Sequence, residues 1–131
     1  MKKKFVSWKE IDKLTDKLVR KYRSLKLNCT SVYGIPRGGL VVGVILSHKL
    51  DLPLVLKPEE KSLVVDDICD SGFTLSKYKN HYCTATIHCK RNTLVRPLII
   101  AETIKNDIWI VYPWETVKTS KIDYKFEGGE A

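Results

Sequence analysis

Residues 63–75 read LVVDDICDSGFTL, and this stretch decides the fold. Leu63, Val64 and Val65 are consecutive apolar residues, the pattern of a strand buried on both faces. The strand predicted over 62–66 runs into two adjacent carboxylates, Asp66 and Asp67. Asp70, Ser71, Gly72, Phe73 and Thr74 then lead into a helical pattern over about 74–79. Each part has a physical use. A loop entering a helix aims several backbone N–H groups at one point, which suits a phosphate dianion. Ser71 and Thr74 add hydroxyl donors, and Gly72 lets the backbone approach closely. Two carboxylates beside such a pocket would repel an anion. They are matched instead to sugar hydroxyls and to Mg2+, which prefers carboxylate and phosphate oxygens. Each residue alone would read as a strand end or an ordinary turn. The whole stretch, in this order, reads as a ligand-binding loop over 66–74.

Outward from this loop, strands and helices alternate. Ser7 and Glu10 have the spacing of a capping box. Ile11, Leu14, Leu18, Tyr22 and Leu25 recur at helical spacing, which predicts an amphipathic helix over 8–24. A β-rich run covers 29–35, and Gly38 and Gly39 open an apolar helix over 40–50. Residues 53–56 form a short strand candidate. Strands over 83–89, 98–104 and 108–112 complete the set. The alternation implies an α/β fold, a Rossmann-like and mainly parallel sheet flanked by helices. Ligands of such sheets bind beyond the carboxyl ends of the strands, where the acidic loop lies. The reading is one domain over 1–131, with a tail over 124–131 that is expected to fray.

Composition sets limits. A chain of 131 residues that is 44% hydrophobic builds one core. No apolar run reaches the length a bilayer requires. The basic start, MKKKFVSWKE, lacks the apolar stretch of a signal peptide. Cys29, Cys69, Cys83 and Cys89 match no zinc or redox spacing and read as reduced thiols. These features give a cytoplasmic protein without a membrane partner as the expectation. The net charge of +8 favours anionic partners, and it equally keeps a small protein soluble. There is no arginine-rich block and no aromatic-basic repeat, so a nucleic-acid partner is not required. No Ser-His-Asp or Cys-His arrangement is evident, and His48, His81 and His88 read as incidental.

The acidic stretch resembles the signature of the type I phosphoribosyltransferases. The resemblance implies that Asp66 and Asp67 face the ribose of 5-phosphoribosyl-1-pyrophosphate, with Asp67 on a Mg2+ ion. It implies that Asp70, Ser71, Gly72, Phe73 and Thr74 hold the 5-phosphate. Upstream, the run from Tyr33 to Gly39, YGIPRGG, is similar to the family's pyrophosphate loop. Arg37 and the amides of Gly38 and Gly39 would then hold the pyrophosphate. In the family a long flexible loop follows this helix. Here only residues 50–62 occupy that interval, so the resemblance implies a shortened loop. A nucleotide- or RNA-binding regulatory protein on the same fold is the alternative.

The base pocket is read from two further segments. Residues 86–91, TIHCKR, form a strand ending in a basic pair, and residues 109–115, WIVYPWE, are rich in aromatics. A strand-end lysine can donate to a carbonyl oxygen, and an aromatic face can stack on a planar base. Alone, each reads as a solvated lysine and a core tryptophan. Together they resemble the 6-oxopurine branch, most closely the xanthine-guanine enzymes. Lys90 would contact the purine 6-oxo group, Trp109 would stack on the base, and the backbone near Ile110 would meet the purine 2-position. Asp70 matches the branch's acid/base residue near N7. With Asp66 and Asp67 it makes up the expected catalytic group. Trp114 and Glu115 read as structural. Related enzymes are dimers or tetramers, so the resemblance implies a homo-oligomer.

Overall fold

The computed structural model describes residues 1–122 of the chain. The tail expected to fray, 124–131, lies outside the described residues. Strands β1 (Lys2–Phe5), β2 (Ser31–Gly34), β3 (Leu54–Val55), β4 (Ser62–Cys69), β5 (Cys83–Lys90), β6 (Ile99–Ile104) and β7 (Ile108–Val111) alternate with helices α1 (Trp8–Ser24), α2 (Gly38–Leu50) and α3 (Phe73–Ser76). Strands β2 to β6 form one sheet in the order β3-β2-β4-β5-β6, with every pairing parallel. This is the α/β sheet read from the sequence.

Helix α1 starts where the capping box places it. Ser7 Oγ accepts from the Glu10 N–H at 3.1 Å, and the Glu10 carboxylate accepts from the Ser7 N–H at 3.4 Å. Two otherwise unpaired amides are satisfied, an arrangement worth about 1 kcal/mol. Ile11 and Leu18 of α1 pack with Val42 and Leu46 of α2 against one sheet face, formed by Leu63, Val65, Ala85 and Ile87. Lys49 joins the two helices from outside, 2.8 Å from both Asp12 and Asp16. On the opposite face Val64 packs with Tyr33 and Ile35, and Tyr78 and Tyr82 cover them. Strand β4 is thus covered on both faces, as its apolar run requires.

Most strand ends lie within two residues of the sequence reading, and three larger or site-related differences stand out. Helix α2 begins at Gly38 rather than at residue 40. Helix α3 is one short turn, Phe73–Ser76, rather than a helix over 74–79. Strand β4 runs to Cys69, so Asp66 and Asp67 belong to a strand and not to a loop. The reason is β5, which offers a hydrogen-bonding edge past the apolar run and pairs Ile68 with His88 and Cys69 with Cys89. The shortened interval is also explained. After β3 the chain makes a tight turn in which the Glu59 N–H donates to Ser62 Oγ at 2.8 Å, and Lys61 adopts a φ of 63°.

One strand was not read from the sequence. Lys2–Phe5 forms β1 and pairs in parallel with β7, Lys3 opposite Trp109 and Lys4 opposite Ile110. The two make a separate small sheet beside the main one. No helix among the described residues is long and apolar enough to cross a membrane.

Candidate active site

The site arises where the sheet changes direction. From β2 the chain passes to β3 on one side, while β4 leads to β5 on the other. Crevices open at such switch points. The last β2 pair is Gly34 with Val65, and the Ile35 N–H donates to the Val65 carbonyl at 2.9 Å. Beyond that point β4 keeps only β5 as a neighbour. Asp66 and Asp67 therefore stand on an open strand edge facing the loop that carries Arg37.

A cavity of about 550 Å3 fills this crevice. Arg37, Gly38, Asp66, Asp67, Asp70, Thr74, Lys90, Trp109 and Ile110 all border it. A smaller cavity of about 90 Å3 adjoins it, bordered by Asp70, Ser71, Gly72, Thr74 and Thr86. Two expected residues border neither. Gly39 is buried under β4, where an added Cβ would lie 2.7 Å from the Val65 carbonyl oxygen. The Phe73 side chain is 67% exposed, with the Lys77 ammonium 5.7 Å from its ring centre.

Two glycines shape the border of the site. Gly72 has a φ of 88°, and a Cβ there would lie 2.7 Å from the Val95 amide nitrogen. The Leu94 N–H donates to the Ser71 carbonyl at 2.7 Å, so the segment after β5 clasps this turn. At Gly38 a Cβ would collide with the Asp67 carboxylate. The absent side chain is what lets Asp67 reach the loop expected to hold pyrophosphate.

The acidic pair is electrostatically costly. Burial, and then the adjacent Asp67 charge, push the Asp66 carboxyl well above the usual carboxylate range. Burial also raises Asp67, opposed by its contact with Asp66 and by the Ile68 N–H that donates to its Oδ1 at 2.8 Å. A divalent cation at this spot would relieve the repulsion. The donor chemistry fits Mg2+, which takes one or two carboxylates and completes its shell with water and substrate oxygens. No cluster of three metal-ligating side chains exists among the described residues, so Asp66 and Asp67 would have to hold the ion together with a ligand. Thr86 Oγ1, beside the smaller cavity, is buried without a hydrogen-bond partner among the described residues. Such a hydroxyl costs about 1–3 kcal/mol unless a polar ligand meets it.

Lys90 and Trp109 reach the large cavity from different strands. Lys90 ends β5 and is 4% exposed; its ammonium donates to the Asn106 carbonyl at 3.1 Å and lies 3.3 Å from Asp70. Trp109 Nε1–H donates to Ser120 Oγ at 3.0 Å. Arg37 uses Nη2 to donate to the carbonyls of Thr119 and Ile122, each at 3.1 Å.

Residues the sequence reading did not select also shape the site. Tyr112 OH donates to the Asp67 carbonyl at 3.1 Å and lies 2.8 Å from His88 Nδ1. Its ring stacks on Trp114 with centroids 4.8 Å apart. Glu115 accepts from the Tyr112 N–H at 2.9 Å and also borders the large cavity. The Asp67 and His88 partners of Tyr112 lie 45 and 24 residues away along the chain, where no local pattern announces them.

His88, read as incidental, is a buried bracing group. Burial drives its imidazole down to about 4, and Glu102, 3.4 Å from Nε2, offsets only part of that. An unfolded histidine takes up its proton near pH about 6.5. The native state therefore binds this proton later than the unfolded chain as pH falls. The His88 contribution is complete above about pH 6.5 and is lost as pH falls towards about 4, at about 1.4 kcal/mol per unit. Denaturant titrations over this range should show a shallower loss for His88→Gln than for the parent chain. Equal slopes would refute the assignment.

No family model matches the chain. Individual proteins do. The xanthine-guanine phosphoribosyltransferase of Cereibacter sphaeroides is 32% identical over 117 residues, covering 65% of this chain and 68% of that protein. The xanthine-guanine phosphoribosyltransferase of Idiomarina loihiensis is 24% identical over 139 residues, covering 85% of this chain and 86% of its own. The crystal structure of a purine phosphoribosyltransferase from Pyrococcus horikoshii superposes with a TM-score of 0.75 at 28% identity, over 88% of this chain and 96% of that one. With the crevice at the switch point and the acidic strand end already in place, these likenesses assign the chain: it belongs to the type I phosphoribosyltransferases, a family of enzymes. Within the family its likeness is to the enzymes of 6-oxopurines.

Proposed function

We propose that the protein transfers the phosphoribosyl group of 5-phosphoribosyl-1-pyrophosphate to a 6-oxopurine: guanine, xanthine or hypoxanthine. The products are the nucleoside monophosphate and pyrophosphate, a salvage reaction in the cytoplasm. The observation that carries this reading is the shared cavity. Arg37, the acidic pair, Lys90 and Trp109 border one space of about 550 Å3, which joins a guanidinium, carboxylates, an ammonium and an aromatic ring.

In this reading a purine ring nitrogen forms the bond to ribose C1 as the bond from C1 to the pyrophosphate oxygen breaks. The base gives up its ring proton to Asp70. Positive charge grows on the ribose, and Asp66 and Asp67 beneath it favour that charge while holding the sugar hydroxyls. Negative charge grows on the leaving group, which Arg37 and the amide of Gly38 receive. The turn from Ser71 to Thr74, with the Thr86 hydroxyl, takes the 5-phosphate. Lys90 donates to the 6-oxo oxygen, Trp109 stacks on the ring, and the backbone at Ile110 lies beside the 2-position. Asp67 would hold Mg2+, which when bound would supply charge neutralisation for the pyrophosphate. A homo-oligomer is part of the proposal.

The test is a screen of the three bases with phosphoribosyl pyrophosphate and Mg2+. Nucleotide and pyrophosphate should appear with at least one base. If none reacts, the enzymatic reading fails; tight nucleotide or RNA binding without turnover would then favour a regulatory protein on this fold.

A further inference from the structure

We propose that the turn over residues 116–122 is a clamp that positions two residues bordering the large cavity at once, with Ser120 as the positioning residue for Trp109. This rests on the proposed function for the roles of Arg37 and Trp109.

The turn is braced by its own side chains. The Thr116 N–H donates to Thr119 Oγ1 at 2.8 Å, and the Thr119 N–H donates to Thr116 Oγ1 at 3.0 Å. The Ser120 N–H donates to the Thr116 carbonyl at 2.9 Å. The Ser120 hydroxyl donates its single hydrogen to the Val117 carbonyl at 2.8 Å. Its oxygen is then oriented to accept, and the Trp109 indole, which can only donate, meets it at 3.0 Å. The indole is thereby fixed about its side-chain torsions, with its ring against the cavity.

The same turn holds Arg37. Both carbonyls it offers, from Thr119 and Ile122, are taken by Nη2. A guanidinium carries five N–H groups, so Nη1 and Nε keep three for an anion. Arg37 is largely exposed and would otherwise sample many rotamers; the two carbonyls remove that freedom before substrate arrives. Ser120 and Ile122 also border the cavity, so the clamp forms part of its wall. One short turn thus sets the aim of the group facing the leaving pyrophosphate and the plane of the ring facing the base.

Two measurements on the full chain test this. In steady-state assays Ser120→Ala should raise KM for the base about five- to tenfold with kcat within about twofold, because one hydrogen bond that orients the ring is lost. Ser120→Thr, which keeps the hydroxyl, should restore the parent value. An unchanged KM for the base in Ser120→Ala, or no rescue by Ser120→Thr, overturns the role of Ser120. Independently of turnover, amide hydrogen exchange over 116–122 should be about tenfold faster in Arg37→Lys, since an ammonium cannot span both carbonyls in a fixed plane. Unchanged exchange overturns the clamp. If the parent chain forms no nucleotide with any base, the functional reading has failed, and the exchange result alone decides the clamp.

Discussion

Asp67→Asn is expected to lower kcat/KM by roughly a hundredfold or more while raising the temperature of unfolding. The two effects have one cause. Asp66 and Asp67 are adjacent carboxylates in a crevice, and burial holds both above the ordinary carboxylate range. Asparagine has nearly the same shape and can still accept the Ile68 N–H through Oδ1. What disappears is a charge that the apo protein keeps at a cost. Removing it should stabilise the fold, because burial works against the charged form. The same charge is what a divalent cation and a developing ribose cation would use. Melting curves with and without Mg2+ and phosphoribosyl pyrophosphate give the second readout. The ligand-induced rise of the parent chain should be largely absent in the variant. A variant that melts lower, or that turns over within a few fold of the parent, would show that Asp67 is a structural residue.

Lys90→Met should separate the base from the sugar phosphate. Methionine keeps most of the length and apolar stem but offers no donor. A charge-assisted hydrogen bond to the 6-oxo oxygen is worth about 1.5–3 kcal/mol, so KM for the base should rise about ten- to a hundredfold. KM for phosphoribosyl pyrophosphate should hold within about threefold, because Lys90 lies on the base side of the cavity. The fold should tolerate the change. The side chain is already enclosed, its partner Asp70 is 59% exposed, and the Asn106 carbonyl lies near solvent. Equal loss in both KM values would mean that Lys90 acts through Asp70 and the phosphate turn rather than on the base.

The parts of this site legible in sequence are those whose chemistry is local. The apolar run before Asp66, the turn with Gly72, and the glycines after Arg37 each follow from a few consecutive residues. Gly38 is an instructive case: the sequence marks it as a loop glycine, and the structure adds that Asp67 occupies the space of its missing side chain. The extent of β4 was not legible, because it depends on the edge that β5 offers and not on the apolar pattern of β4 itself. Helix α3 was read too long for a related reason: residues after Ser76 continue in hydrogen-bonded turns, which share the local spacing of a helix. Strand β1 was missed because three consecutive lysines look like a solvated start and its partner lies at the other end of the described chain. Tyr112 and Ser120 were invisible for the same physical reason. Their importance lies in which distant atom each one meets.

Because β1 closes the chain's beginning onto β7, the wall bearing Trp109 cannot be finished until nearly all of the described chain exists. Closing so long a loop is entropically slow, and contacts of this kind form late. Strands β2 to β6 can therefore assemble before the strand that carries Trp109 is closed by β1.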